Sequence, residues 1–138
     1  MSDSISSDKA PEPVGPYPHA RRVGNLLFLS GVGPRKKGST DIPGVTLDAS
    51  GNIISYDIEV QCRNVFQNVR YILEASGSRW ENLVDVTVFL TNMKKDFATY
   101  NTVYREYFTS NQPCRTTVEV TALPTPIAIE LKCIATIG

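Results

Sequence analysis

The run from Asp57 to Ser76 constrains this chain most. Its apolar residues Ile58, Cys62, Val65, Phe66, Val69, Ile72 and Leu73 recur at helical spacing and form one stripe. Ser55 or Asp57 can cap the start, and Gly77 suits a left-handed stop. A one-sided helix must bury its stripe against another layer. Alternating segments supply that layer. Leu83 to Thr91 sets Val84, Val86, Val88 and Leu90 against Asp85, Thr87 and Phe89. Arg115 to Ala122 and Ile127 to Ile137 read as two further strands, joined through Leu123-Pro124-Thr125-Pro126. Leu26 to Leu29 forms another after the turn signal Gly24-Asn25. Val45-Thr46-Leu47 and Asn52-Ile53-Ile54 flank a short turn, and Gly33 to Asp41 is loop. Asp96 to Thr109 reads as a second helix, with Phe97, Tyr100, Tyr104 and Tyr107 or Phe108 as its stripe. The pattern predicts one α+β domain over residues 14–138, a mixed sheet with two helices on one face. Residues 1–13, polar and proline-spaced, are expected to be a mobile tail. The other face of the sheet also carries apolar residues, so self-association is the simplest way to cover it.

At 138 residues the chain can bury a real core. Its 14 basic and 14 acidic residues balance, which argues against nucleic acid or an anionic membrane as partner. The odd set Cys62, Cys114 and Cys133 has no C-x-x-C spacing, so neither a disulfide scaffold nor zinc is expected. Residues Met1 to Asp8 lack the basic and apolar regions of a signal peptide, and no apolar stretch approaches the roughly 18 residues of a membrane span. A soluble, cytosolic protein with reduced thiols is expected. No phosphate-binding glycine motif or His/Cys cluster is present, so no cofactor and no metal are expected.

The chemistry-bearing residues cluster late. Arg115 heads one alternating run, and Glu130 lies between Ile129 and Leu131 in the next. A guanidinium holds a carboxylate through a planar fork of donors. A carboxylate can activate water against a nearby carbon. The pair suggests hydrolysis of a small anionic molecule. Glu119 shares the strand parity of Arg115 and Thr117 but reads as structural. Cys114 has no base beside it in sequence. His19, the only histidine, follows Tyr17 by two residues and can reach the same place. Arg21, Arg22, Arg35, Lys36 and Lys37 are candidates for a second cation.

Several motifs fall in one order: Gly15-Pro16-Tyr17, Leu29-Ser30-Gly31, Val86 to Leu90, Asp96-Phe97-Ala98-Thr99-Tyr100-Asn101, and the runs around Arg115 and Glu130. From about Ala10 to Gly138 the chain resembles the reactive intermediate deaminases, small imine and enamine hydrolases. The segment Tyr17 to Arg22 and the insert after Gly33 look most like the branch that deaminates 2-aminomuconate. The resemblance implies a chorismate-mutase-like fold and a homotrimer, or a dimer of trimers, with clefts between subunits. It implies that Arg115 forks the substrate carboxylate, that Glu130 positions water, and that Asn101 lies near that water. Tyr17 would wall the cleft, with the Ser30–Gly31 turn offering its backbone. Thr117 departs from the cysteine of many relatives, but its backbone N–H can still meet the carboxylate. The implied partner is a small dicarboxylate, 2-aminomuconate, hydrolysed to 4-oxalocrotonate and ammonia. The alternatives are a generalist 2-imino acid hydrolase and a non-catalytic trimer that binds small carboxylates.

Overall fold

The computed structural model describes residues 2–138. Eight strands and two helices follow in the order β1 (Ser2–Ile5), β2 (Ala20–Val23), β3 (Leu26–Leu29), β4 (Val45–Leu47), β5 (Ile53–Tyr56), α1 (Ile58–Ala75), β6 (Leu83–Leu90), α2 (Met93–Tyr107), β7 (Cys114–Glu119) and β8 (Ile129–Thr136). Six strands form one sheet in the order β1-β2-β3-β8-β6-β7, and β4 pairs with β5 separately. Only β6 and β7 run parallel within the large sheet, so the expected mixed sheet is present.

The predicted stripe of α1 is the core: Ile58, Cys62, Val65, Phe66, Val69, Ile72 and Leu73 are all buried. The Asp57 side chain accepts from the Val60 N–H at the start, and Gly77 (φ 75°) follows the last turn. Against this stripe lie Leu27, Leu29, Val86, Val88, Leu90, Ile129, Leu131, Cys133 and Ala135. The alternate residues of the same strands, Phe28, Thr87, Phe89, Glu130, Lys132 and Ile134, stay partly exposed on the opposite face. One side of the sheet is therefore dry and the other is open.

Four expectations are corrected. Residues 2–13 belong to the fold: β1 pairs with β2, and Ser7 and Ala10 are buried. Helix α2 begins at Met93, because the Asn92 side chain caps it by accepting from the Lys95 N–H. That start buries Asp96, which accepts from the Tyr56 hydroxyl at 2.6 Å, and leaves Phe97 37% exposed. Val84 is 44% exposed, since the register shift between Leu83 and Asp85 turns Leu83 inward instead. The two late strands are also shorter than expected, β7 ending at Glu119 and β8 starting at Ile129.

Candidate active site

Arg115 stands on the edge strand β7, in register with buried Val86, on the side of the sheet that carries α2. Helix α2 presents Phe97, Tyr100, Asn101 and Tyr104 to it, a spacing that one helix face provides. The guanidinium lies 4.7 Å from the Tyr104 ring centroid, 5.4 Å from Tyr100 and 5.9 Å from Phe97. Its Nη1 donates to Asn101 Oδ1 at 2.8 Å. Among the described residues no carboxylate forms an ion pair with it. Asn101 thus holds the arginine in this chain. The Thr117 hydroxyl is engaged by the Tyr100 hydroxyl at 3.0 Å. Glu119 accepts from the Met93 N–H at 2.8 Å and so serves the start of α2.

Glu130 pairs with Phe89 across the ladder and faces the open side. Its cavity is walled by Tyr17, Gly31, Arg35, Thr125 and Ile127. Burial raises the Glu130 carboxyl above its ordinary range, which suits a group that must take up a proton. Gly31 makes room for it: a Cβ there would stand 2.6 Å from Glu130 Oε2. Ser30 shapes the same turn, its hydroxyl donating to Pro18 O at 2.7 Å and its N–H to His19 O at 3.0 Å. Tyr17 is 42% exposed at the rim.

His19 lines a cavity with Tyr17, Ser30 and Gly31, but both of its ring nitrogens are engaged. It is 7% exposed, its Nδ1 accepts from the Ser7 N–H at 2.9 Å, and its Nε2 lies 2.8 Å from Pro11 O. Both ring nitrogens are used by the backbone of the N-terminal segment, and that pairing calls for the neutral ring with the proton on Nε2. Of the suggested second cations, Arg35 is the one that lines the Glu130 cavity. Buried Asn68 fixes its loop by donating to Gly33 O and Arg35 O, and Arg35 itself donates to Glu12 O at 2.7 Å. Lys37 is paired with Glu12 instead.

The predicted residues therefore fall into two groups. Arg115, Asn101 and Thr117 lie on the helix side, and Glu130, Tyr17, Ser30 and Gly31 gather on the open side with β6 between. Within one chain Arg115 and Glu130 stand on opposite faces of the sheet. The rings of Tyr100 and Tyr104 were read only as core, although their spacing with Asn101 on α2 carried the signal. Thiol chemistry gains no support from Cys62 and Cys133, whose burial pushes each up to about 12. Among the described residues no helix is long and apolar enough to cross a membrane.

Residues 7–137 match the family described as endoribonuclease L-PSP. The chain belongs to that family. Its curated relatives include a RutC family protein of Pyrococcus horikoshii, 40% identical over 98% of both chains. Reactive Intermediate Deaminase A of Arabidopsis thaliana is 38% identical over 96% of this chain and 65% of that one. The 2-iminobutanoate/2-iminopropanoate deaminase of Escherichia coli is 33% identical over 98% of both. Among solved structures, Escherichia coli TdcF with bound serine superposes with a TM-score of 0.84 at 30% identity, covering 99% of both chains. Of these deaminases, the Escherichia coli one matches over nearly the full length of both chains.

Proposed function

We propose that this protein is a hydrolytic deaminase of 2-imino and 2-enamino acids, acting on several small members of that class. The observation that carries the reading is Arg115, a cation with no carboxylate against it among the described residues, held by the Asn101 amide and three aromatic rings. The deaminase names of the relatives support it. The ribonuclease wording of the family description gains no help from this chain. Its charges balance, and its single histidine is occupied by backbone.

In this reading the two half-sites come from neighbouring copies. The open sheet face, with Phe28, Phe89 and Ile134 partly exposed, is the surface a second copy covers, in a homotrimer. The cleft then places the Arg115 fork of one subunit opposite the Glu130 cavity of the next. The enamine tautomerises to the imine, and Arg115 holds the carboxylate beside C2. Glu130 takes a proton from water as its oxygen attacks C2. That proton passes to the imine nitrogen and gives the carbinolamine; the C2 hydroxyl then yields its proton to the same nitrogen through Glu130 as the C–N bond breaks and the C=O bond forms, releasing ammonia and a 2-oxo acid. No cofactor is required, since hydrolysis exchanges water for ammonia without change of oxidation state.

A narrower reading takes the substrate to be a dicarboxylate such as 2-aminomuconate. Arg35 favours it, as a second guanidinium in the Glu130 cavity at a fixed place on the loop. The histidine expected to help there is unavailable to substrate, so the distal carboxylate falls to Arg35. Generate 2-iminobutanoate and 2-aminomuconate in situ and follow ammonia with wild type and Arg115→Ala. The generalist reading expects turnover of both, lost in the variant. Turnover of 2-aminomuconate alone selects the narrower reading. No turnover of either, with carboxylate binding intact, means a non-catalytic binding protein.

A further inference from the structure

Arg63 and Arg115 both sit over tyrosine rings, and their polar partners differ. The Arg63 guanidinium is 6.0 Å from the Tyr107 centroid, and its Nη2 reaches Glu59 at 2.9 Å and Glu106 at 3.0 Å. Its charge is balanced where it stands. Arg115 has more aromatic contact and a neutral amide where Arg63 has carboxylates. A ring face attracts a cation through its quadrupole without adding a negative charge that a ligand must displace.

Tyr104 is the nearest ring to Arg115. It stacks on Phe108 at 4.3 Å between centroids, and Phe66 and Tyr100 meet it edge-on at 6.1 Å and 5.8 Å. Its plane is therefore fixed by the core. Its hydroxyl is buried with no hydrogen-bond partner among the described residues, an arrangement that costs stability. The Tyr100 hydroxyl, by contrast, is tied to Thr117 on β7. What Tyr104 offers Arg115 is the face of the ring.

We propose that Tyr104 is a positioning residue of the Arg115 carboxylate subsite: its ring, with the Asn101 amide, orients the guanidinium and leaves its charge uncompensated for an incoming carboxylate. The inference rests on reading Arg115 as the substrate clamp. The ring supplies orientation without a counter-ion, and the amide fixes one Nη while the rest of the fork stays available. An aspartate at position 101 would hold the arginine more tightly and cancel the charge that the substrate needs.

The test compares Tyr104→Phe, Tyr104→Leu, Asn101→Asp and Arg115→Ala in the full-length protein. The readouts are 2-oxobutanoate affinity, steady-state turnover of 2-iminobutanoate, and the Arg115 Nε–H resonance. Tyr104→Phe keeps the ring, so affinity and turnover stay near wild type and the melting temperature rises with the orphaned hydroxyl gone. Tyr104→Leu weakens 2-oxobutanoate binding by roughly 2- to 30-fold, raises KM more than it lowers kcat, and moves the Arg115 resonance. Asn101→Asp folds and loses 2-oxobutanoate affinity. Unchanged affinity in a folded Tyr104→Leu protein overturns the proposal, as does unchanged affinity in Asn101→Asp. If Tyr104→Leu does not fold, Asn101→Asp decides alone. Full turnover in Arg115→Ala sinks the clamp reading itself. A dead Arg115→Ala beside an unaffected Tyr104→Leu sinks only the role of the ring.

Discussion

The surface around Arg115 and the cavity around Glu130 are built on opposite physical terms. Arg115 is exposed, and its charge is kept available by surrounding it with rings and a neutral amide. Glu130 is half-buried, and its proton affinity is raised by taking water away from it. The first arrangement suits recognition of a fixed anion. The second suits exchange of a proton with water. The sheet keeps them apart, with β6 between β7 and β8 and the two side chains on opposite faces. One chain offers two complementary halves, which the proposed function joins through a second copy.

The largest expected effect is on the open side. Glu130→Gln should lower kcat by about 10²–10⁴-fold with little change in substrate affinity, as expected for loss of a general base. The pH profile sharpens this. A base must be ionised, and burial raises its titration, so activity falls on the acid side at a pH above the usual carboxylate range. The variant should lack that limb. The linked stability has the matching sign: the raised carboxyl favours the folded state at low pH, and that contribution is lost as pH rises through its folded value. Affinity lost with turnover retained would make Glu130 a binding group.

On the helix side, Arg115→Ala should reduce kcat/KM by roughly 10²- to 10³-fold, since two charge-assisted hydrogen bonds disappear. Lysine should restore little, because it lacks the fork. Gly31→Ala should come next, at roughly 10- to 100-fold in kcat, because the new methyl pushes the Glu130 carboxylate from its place. The fold should survive, as the clash is with the far end of a flexible side chain. A Gly31→Ala enzyme of normal kcat would show that the present carboxylate position is immaterial. The smallest effect should be at Arg63→Ala, the balanced arginine, with activity unchanged and only a slight loss of stability on urea denaturation.

Local pattern carried much of the fold. The stripe of α1 names its buried residues, because 3.6-residue spacing and burial report one property. Strand parity assigns Glu130 to the face opposite Ile129 and Leu131. Parity says nothing of strand order, which depends on contacts between distant segments. That is why the sequence pairs Arg115 with Glu130 by chemistry but leaves open that β6 divides them. The hydrogen bonds of His19 were not legible for a related reason, since its partners at Ser7 and Pro11 are backbone groups that no side-chain pattern announces. The N-terminal segment reads as a tail from its composition, yet pairing with β2 satisfies its backbone. Val84 was placed inside because alternation assumes an unbroken ladder, and the bulge beside it shifts the phase.

The central claim is that each active site takes Arg115 from one copy and Glu130 from another. Mixing subunits tests it most directly. Arg115→Ala and Glu130→Gln proteins, each inactive alone, are co-refolded in equal amounts and assayed with 2-iminobutanoate. If sites form between copies, random assembly gives about one site in four with both groups intact, so about a quarter of wild-type activity returns. If each chain holds a whole site, mixing restores nothing, and the division described here is contradicted.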